Sequence, residues 1–178
     1  MKKNNKTLRL VFIAMFAAIL CVSAYISIPL PPTGYKLTAL NFVITLIALT
    51  FDWKDSFTTC LVWFALGLVG VPVFIGGEAG IGYILKPTGG FTIAFLFVAL
   101  FLPLFCSKWK GRLALTLAGI GSAVFVDLFG TVYLMFGLDC SFGKAFLVGF
   151  VPFIVVDIIK TVVAAQIAPS LRKIFSQS

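Results

Sequence analysis

The sequence predicts an all-α integral membrane protein of six transmembrane helices, with a re-entrant or capping loop between spans 3 and 4. Three observations carry this. The chain is 61% hydrophobic and only 11% charged, far from the composition of a soluble domain. Its apolar residues fall into six runs, separated by turn-forming or charged stretches. The interval from Gly67 to Gly90, GLVGVPVFIGGEAGIGYILKPTGG, holds eight glycines, two prolines, one glutamate and one lysine, so its backbone cannot remain a regular helix. Inside a bilayer such backbone is tolerated only where it is buried in protein or lines a water-filled cavity. The stretch 71–90 is therefore expected to fold over a polar pocket, although a long glycine-rich connecting loop also fits the same residues.

The 178 residues leave room for one domain, and each element follows from local signals. Span 1, 8–30, begins after Lys2, Lys3 and Lys6 and ends at Pro29, Pro31 and Pro32. It is too long for a signal-peptide core, has no A-x-A cleavage site, and has Leu20 before Cys21 where a lipoprotein signal wants a small residue, so it is expected to be retained. Span 2, 37–51, reaches only about 22 Å at ~1.5 Å per residue, short for a ~30 Å hydrocarbon core. A short or partly unwound helix suits a protein with an internal cavity. The turn Asp52-Trp53-Lys54-Asp55 leads to span 3, 56–70, and span 4 covers 91–106 with Pro103 near its end. The basic loop 107–112 precedes span 5, 113–136, which carries Asp127. Span 6, 142–168, contains Pro152, Asp157 and Lys160 and is expected to stop before Pro169.

Six spans put both termini on one side with the second and fourth loops. That side collects ten of the fourteen basic residues, against Lys36, Lys86 and Lys144 on the other. The positive-inside rule then makes the termini cytoplasmic and turns the 71–90 loop outward. The same distribution argues against nucleic acid as the partner of the +8 net charge, because the basic residues flank membrane spans and lipid. Four dispersed cysteines without a C-x-x-C, and no histidine at all, suggest no zinc site, disulfide framework or histidine-dependent catalysis. No cofactor and no enzymatic activity are expected.

The residues that stand out are ionisable groups inside spans. Asp157 and Lys160, three apart, share one helix face, and an intramembrane charge is a functional-site candidate by default. Mutual neutralisation, or snorkelling of Lys160 toward headgroups, is the alternative. Asp127 follows the small-residue stretch 119–123, where a buried structural hydrogen bond and a ligand contact fit equally. Lys86, beside Pro87-Thr88-Gly89-Gly90, has the wrong order for a phosphate loop. Ala14 and Ala18 form a small-xxx-small surface, suited either to docking another helix or to packing inside the bundle.

Two segments carry a family resemblance. The first, LGLVGVPVFIGGEAGIGYILKPTGGF at 66–91, is similar to the G-L-x-G-x-P-x-F-x-G-G-x-x-G and P-T-G-G-Y signature of the BioY family. The second, FVPFIVVDIIK at 150–160, is similar to that family's G-x-x-P-F-x-x-x-D-x-x-K signature. These are the biotin-specific substrate-binding (S) components of energy-coupling factor (ECF) transporters, and chain length and span count agree across nearly the whole sequence. The chain departs from the family's V-P-V-T-x-Q pattern, reading Tyr35-Lys36-Leu37-Thr38-Ala39-Leu40-Asn41. It keeps the threonine but lacks the glutamine, and Asn41 is the amide available to take its place. Phe91 stands where a tyrosine is usual.

The resemblance implies one transmembrane substrate-binding domain over the whole chain. It also implies high-affinity capture of biotin from outside, and association with a transmembrane coupling subunit and two ATPase subunits that drive reorientation. It assigns the alanine surface of span 1, here Ala14 and Ala18, to docking on the coupling subunit. It points to Asp157, Lys160, Tyr83, Lys86, Asn41, Gly89 and Phe91 as substrate-binding positions. Biotin suits such residues: its ureido group offers two N–H donors and a carbonyl, which a carboxylate and an amide can meet, while a lysine can balance Asp157 or the valerate carboxylate. Asp157 lies some 15 residues into span 6, ~22 Å along a straight helix, so either the pocket is deep or the span starts later. An S component for another vitamin, an intramembrane enzyme and a structural subunit without a ligand are the competing readings.

Overall fold

The computed structural model describes residues 6–29, 35–107 and 111–177. Lys2, Lys3, Pro31, Pro32, Lys108 and Lys110, on which parts of the topology argument rest, lie outside them. Among the described residues the chain is mostly helical. It runs through α1 (Lys6–Ser23), a hairpin of β1 (Ser27–Pro29) and β2 (Lys36–Thr38), α2 (Leu40–Thr50), α3 (Trp53–Leu68), α4 (Ile81–Ile84), α5 (Gly89–Cys106), α6 (Arg112–Gly137), α7 (Phe142–Gly149) and α8 (Val151–Gln177). Three helical stretches are each long and apolar enough to cross a membrane: α5, α6 and 151–175 of α8. Their outer faces expose Phe105, Leu117, Val155 and Ile159, as a helix that is apolar all round does when its solvent is lipid.

Spans 4 and 5 fall where expected, with α5 starting two residues early at Gly89. Span 1 needs correction. Its helix ends at Ser23, whose hydroxyl turns back onto the carbonyls of Ile19 and Leu20 at 2.7 and 3.0 Å, and the apolar residues that follow form a strand instead. Ser27, Ile28 and Pro29 pair antiparallel with Thr38, Leu37 and Lys36, so the chain is not purely α-helical. The alternation of Ile26 and Ile28 with Tyr25 and Ser27 has β character, but hydropathy alone cannot distinguish it from a continuing span. This pairing also delays α2 to Leu40, and α3 begins at Trp53, within the stretch expected as a turn.

Span 6 divides. Phe150, at φ −109° and ψ −56°, separates the two helices, so α7 ends at Gly149 and α8 begins at Val151, with Pro152 in its first turn where its missing N–H is not needed. At the other end Pro169 does not stop α8, which continues to Gln177. Contacts beyond the proline hold that last stretch. Arg172 Nε donates to Leu49 O at 2.6 Å, and the Phe175 ring packs on Phe12 and Phe51 at 4.6 and 5.1 Å.

The core forms around α2, which packs against α5 and α8 and buries Leu40, Ile44, Ile47, Ala48 and Leu49 completely. At 11 residues it is only ~16 Å long, which a helix enclosed by its neighbours can sustain. On its far side α1 leans on α3, tied there by an ion pair between Arg9 and Asp55. The inward face of α1 is Phe16, Ala17 and Leu20, followed by the buried Ala24 just past its end, while Ala14 and Ala18 lie on the exposed face with Met15 and Ile19.

The stretch 69–88 is packed rather than loosely connecting. Trp63 Nε1 donates to Val73 O at 2.8 Å. The fully buried Phe74 stacks on Tyr83 at 4.9 Å and stands edge-on to Trp63 at 5.6 Å. A Cβ on Gly67 would come within 2.2 Å of the Phe74 ring, so the glycine makes that seat possible. Consecutive positive φ angles at Gly76 and Gly77, 76° and 78°, form the tip of the turn, a conformation that favours glycine.

Candidate functional site

A cavity of about 120 Å³ lies at the N-terminal end of α2. It is bounded by β2, by Asn41 of α2, by the 69–88 loop, by the start of α5, by the middle of α6 and by the start of α8. Its walls are apolar and aromatic: Tyr83, Phe91, Phe95, Val126 and Phe153. The Phe91 ring lies on Gly130 of α6, where a Cβ would stand 2.2 Å from it, and 6.0 Å from the ring of Phe153.

Several polar groups of the cavity wall are deeply buried. Asn41 and Asp127 line the cavity at 2% and 1% exposure, and neither Asn41 Nδ2 nor Asp127 Oδ2 has a hydrogen-bond partner in the protein. Burying a donor or an acceptor unpaired costs about 1–3 kcal/mol, and two residues of one cavity wall that each carry such an atom mark a place for a partner that supplies the complementary groups. Asp157 lines the same cavity, and Lys160 Nζ donates to its Oδ1 and to Thr38 O, both at 2.8 Å. Asp127 lies close enough to Asp157 and Lys160 to interact with both. Because α8 starts at Val151, Asp157 is only six residues into it, ~9 Å along the axis. The later start, rather than a deep shaft, brings the residue to the cavity.

The loop contributes Tyr83, Glu78 and Thr88. Tyr83 Oη lies 3.0 Å from Thr92 Oγ1. Burial pushes its phenol up to about 12, so it remains a neutral hydrogen-bonding group across the ordinary pH range. Glu78 is held by an ion pair with Lys86.

Of the positions singled out in the sequence, Asn41, Tyr83, Phe91 and Asp157 come together in the cavity wall, with Lys160 directly behind Asp157. Lys86 and Gly89 are not in that wall. Lys86 points outward, 54% exposed, onto Glu78. Gly89 spaces α5 from α4, since a Cβ there would stand 1.9 Å from Ile84 O. Sequence reasoning left Asp127 open and did not single out Thr38, Glu78 or Phe153. The available signal for Asp127 was its burial cost as the one ionisable residue of its span.

The arrangement offers an amide donor, carboxylate acceptors and flat aromatic walls. That set suits a small, largely apolar ligand presenting N–H donors and a carbonyl. A family model described as the BioY family matches residues 1–177. A probable biotin transporter BioY of Lysinibacillus sphaericus is 34% identical, over 98% of this chain and 92% of that protein. A probable biotin transporter BioY of Pyrococcus horikoshii is 36% identical, over 90% and 93%. The crystal structure of the S-component for biotin from an ECF-type ABC transporter matches with a TM-score of 0.87 and 27% identity, over 97% of this chain and 95% of that one.

Proposed function

The chain belongs to the BioY family, and from that premise we propose that it binds biotin and takes it up across the membrane as the S component of an ECF-type ABC transporter. The observation that supports this reading best is that Asn41 and Asp127, each with a buried polar atom that has no partner in the protein, line one aromatic-walled cavity. In this reading Asn41 donates to the ureido carbonyl of biotin, and Asp127 and Asp157 accept from its two N–H groups. Phe91, Phe95 and Tyr83 cover the fused rings, and Lys160 holds the Asp157 side chain in place. Lys86 and Gly89 act at one remove, through Glu78 and through the seat of α4.

The whole chain is one substrate-binding domain. Helices α1, α2, α3, α5, α6 and α8 make six crossings, and the 69–88 loop re-enters to cap the site. The termini are cytoplasmic and the cavity faces outward. The exposed face of α1, with Ala14 and Ala18, docks on a transmembrane coupling subunit that carries two ATPase subunits.

Titration calorimetry on the purified protein tests the ligand, with biotin against thiamine and riboflavin. Biotin alone should bind. A hydrogen bond to a charged group is worth about 1.5–3 kcal/mol, so Asp157→Asn should weaken biotin roughly 10- to 150-fold, and Asp127→Asn should weaken it too, each variant remaining folded. Unchanged affinity in either variant would remove that carboxylate from the site, and binding of another vitamin in place of biotin would overturn the assignment.

A further inference from the structure

We propose that Lys36 binds the carboxylate of the ligand at the mouth of the cavity and so decides which end of the ligand faces inward. This rests on the reading above in one respect, that the ligand carries a carboxylate. Three carboxylates line the cavity, those of Glu78, Asp127 and Asp157, and an anionic ligand needs a cation that they have not already claimed. Lys160 is committed to Asp157 and to Thr38 O, and Lys86 to Glu78. Lys36 lines the cavity, is exposed, and among the described residues its side chain has neither an ion pair nor a hydrogen bond.

Its position is built by two backbones. Residue 36 is held in β2 by pairing with Pro29, and its side chain runs across Gly76, where a Cβ would stand 2.3 Å from Nζ and 2.9 Å from Cδ. Gly76 is itself fixed, with its N–H donating to Ala24 O at 3.0 Å and a φ of 76°. The missing side chain at residue 76 is the space the lysine occupies, so the ammonium rests beside the tip of the loop. The cavity is therefore polarised. A carboxylate at the inner end would meet Asp127 beside Asp157, whereas at the mouth it meets an ammonium with three unused donors.

The test compares biotin with biotin amide, whose side chain ends in a neutral group, by calorimetry on the full-length protein in detergent. Because the ammonium is partly hydrated, wild type should prefer biotin by roughly 5- to 30-fold. Lys36→Gln should abolish that preference by weakening biotin and leaving the amide unchanged, and Lys36→Arg should retain it. A preference that survives in Lys36→Gln, or an equal loss for both ligands, would overturn the role of Lys36 while leaving the biotin assignment standing. Wild type that binds neither ligand would overturn both.

Discussion

Lys160 Nζ donates to the carbonyl oxygen of Thr38 at 2.8 Å, joining α8 to the hairpin across 122 residues of sequence. The same ammonium holds Asp157, so one cation couples the wall of the site to the strand that carries Lys36. Lys160→Met would leave Asp157 buried without its partner, at a cost on the order of 3–5 kcal/mol. Thermal unfolding should show that loss, and biotin affinity should fall with it. The double variant Asp157→Asn/Lys160→Met should recover much of the stability but not the affinity. Failure of the second change to restore stability would mean that Thr38, rather than Asp157, is the partner that matters.

Gly89 offers a contrast between spacing and contact. A methyl group there meets the backbone of Ile84, which cannot rotate away, so Gly89→Ala should destabilise by about 1–3 kcal/mol. It should also weaken ligand binding by displacing Tyr83. Gly82→Ala, whose methyl would meet nothing within 4 Å, is the control and should change neither. Equal melting temperatures for the two variants would refute the spacing role.

The exposed placement of Ala14 and Ala18 on α1 separates docking from folding. Ala14→Trp and Ala18→Trp should abolish biotin uptake and co-purification with a coupling subunit, while leaving biotin affinity within about twofold, as surface changes usually do. Uptake at wild-type rates would remove this face from the interface.

Orientation can be read with impermeant thiol reagents on intact cells, using single cysteines in a cysteine-free background. Gly82→Cys should react, and protection by biotin would place it under the ligand's cover. Ser107→Cys should react only after the cells are opened. The opposite pattern would invert the topology.

Hydrophobic runs bounded by charge located α5 and α6 nearly to the residue, because such runs are local and lipid demands them. The Asp157 and Lys160 pair was legible for the same reason, since a spacing of three on a helix is a local fact. The two signature segments likewise identified the family from contiguous residues. The hairpin was not legible. Ile26 and Ile28 are as apolar as a span requires, and only pairing with Lys36–Thr38 makes Ser27–Pro29 a strand. Nor could two prolines of similar local character be ranked. Pro152 sits where two helices meet, whereas Pro169 is carried inside α8 by Arg172 and Phe175 beyond it. Asp127 and Lys36 reach the cavity wall through helix rotation and strand register, and both are settled by packing among segments far apart in the chain. Composition and short-range spacing are properties of the sequence alone. Which polar atom faces a shared cavity is a property of several elements at once, and it exists only when they are assembled.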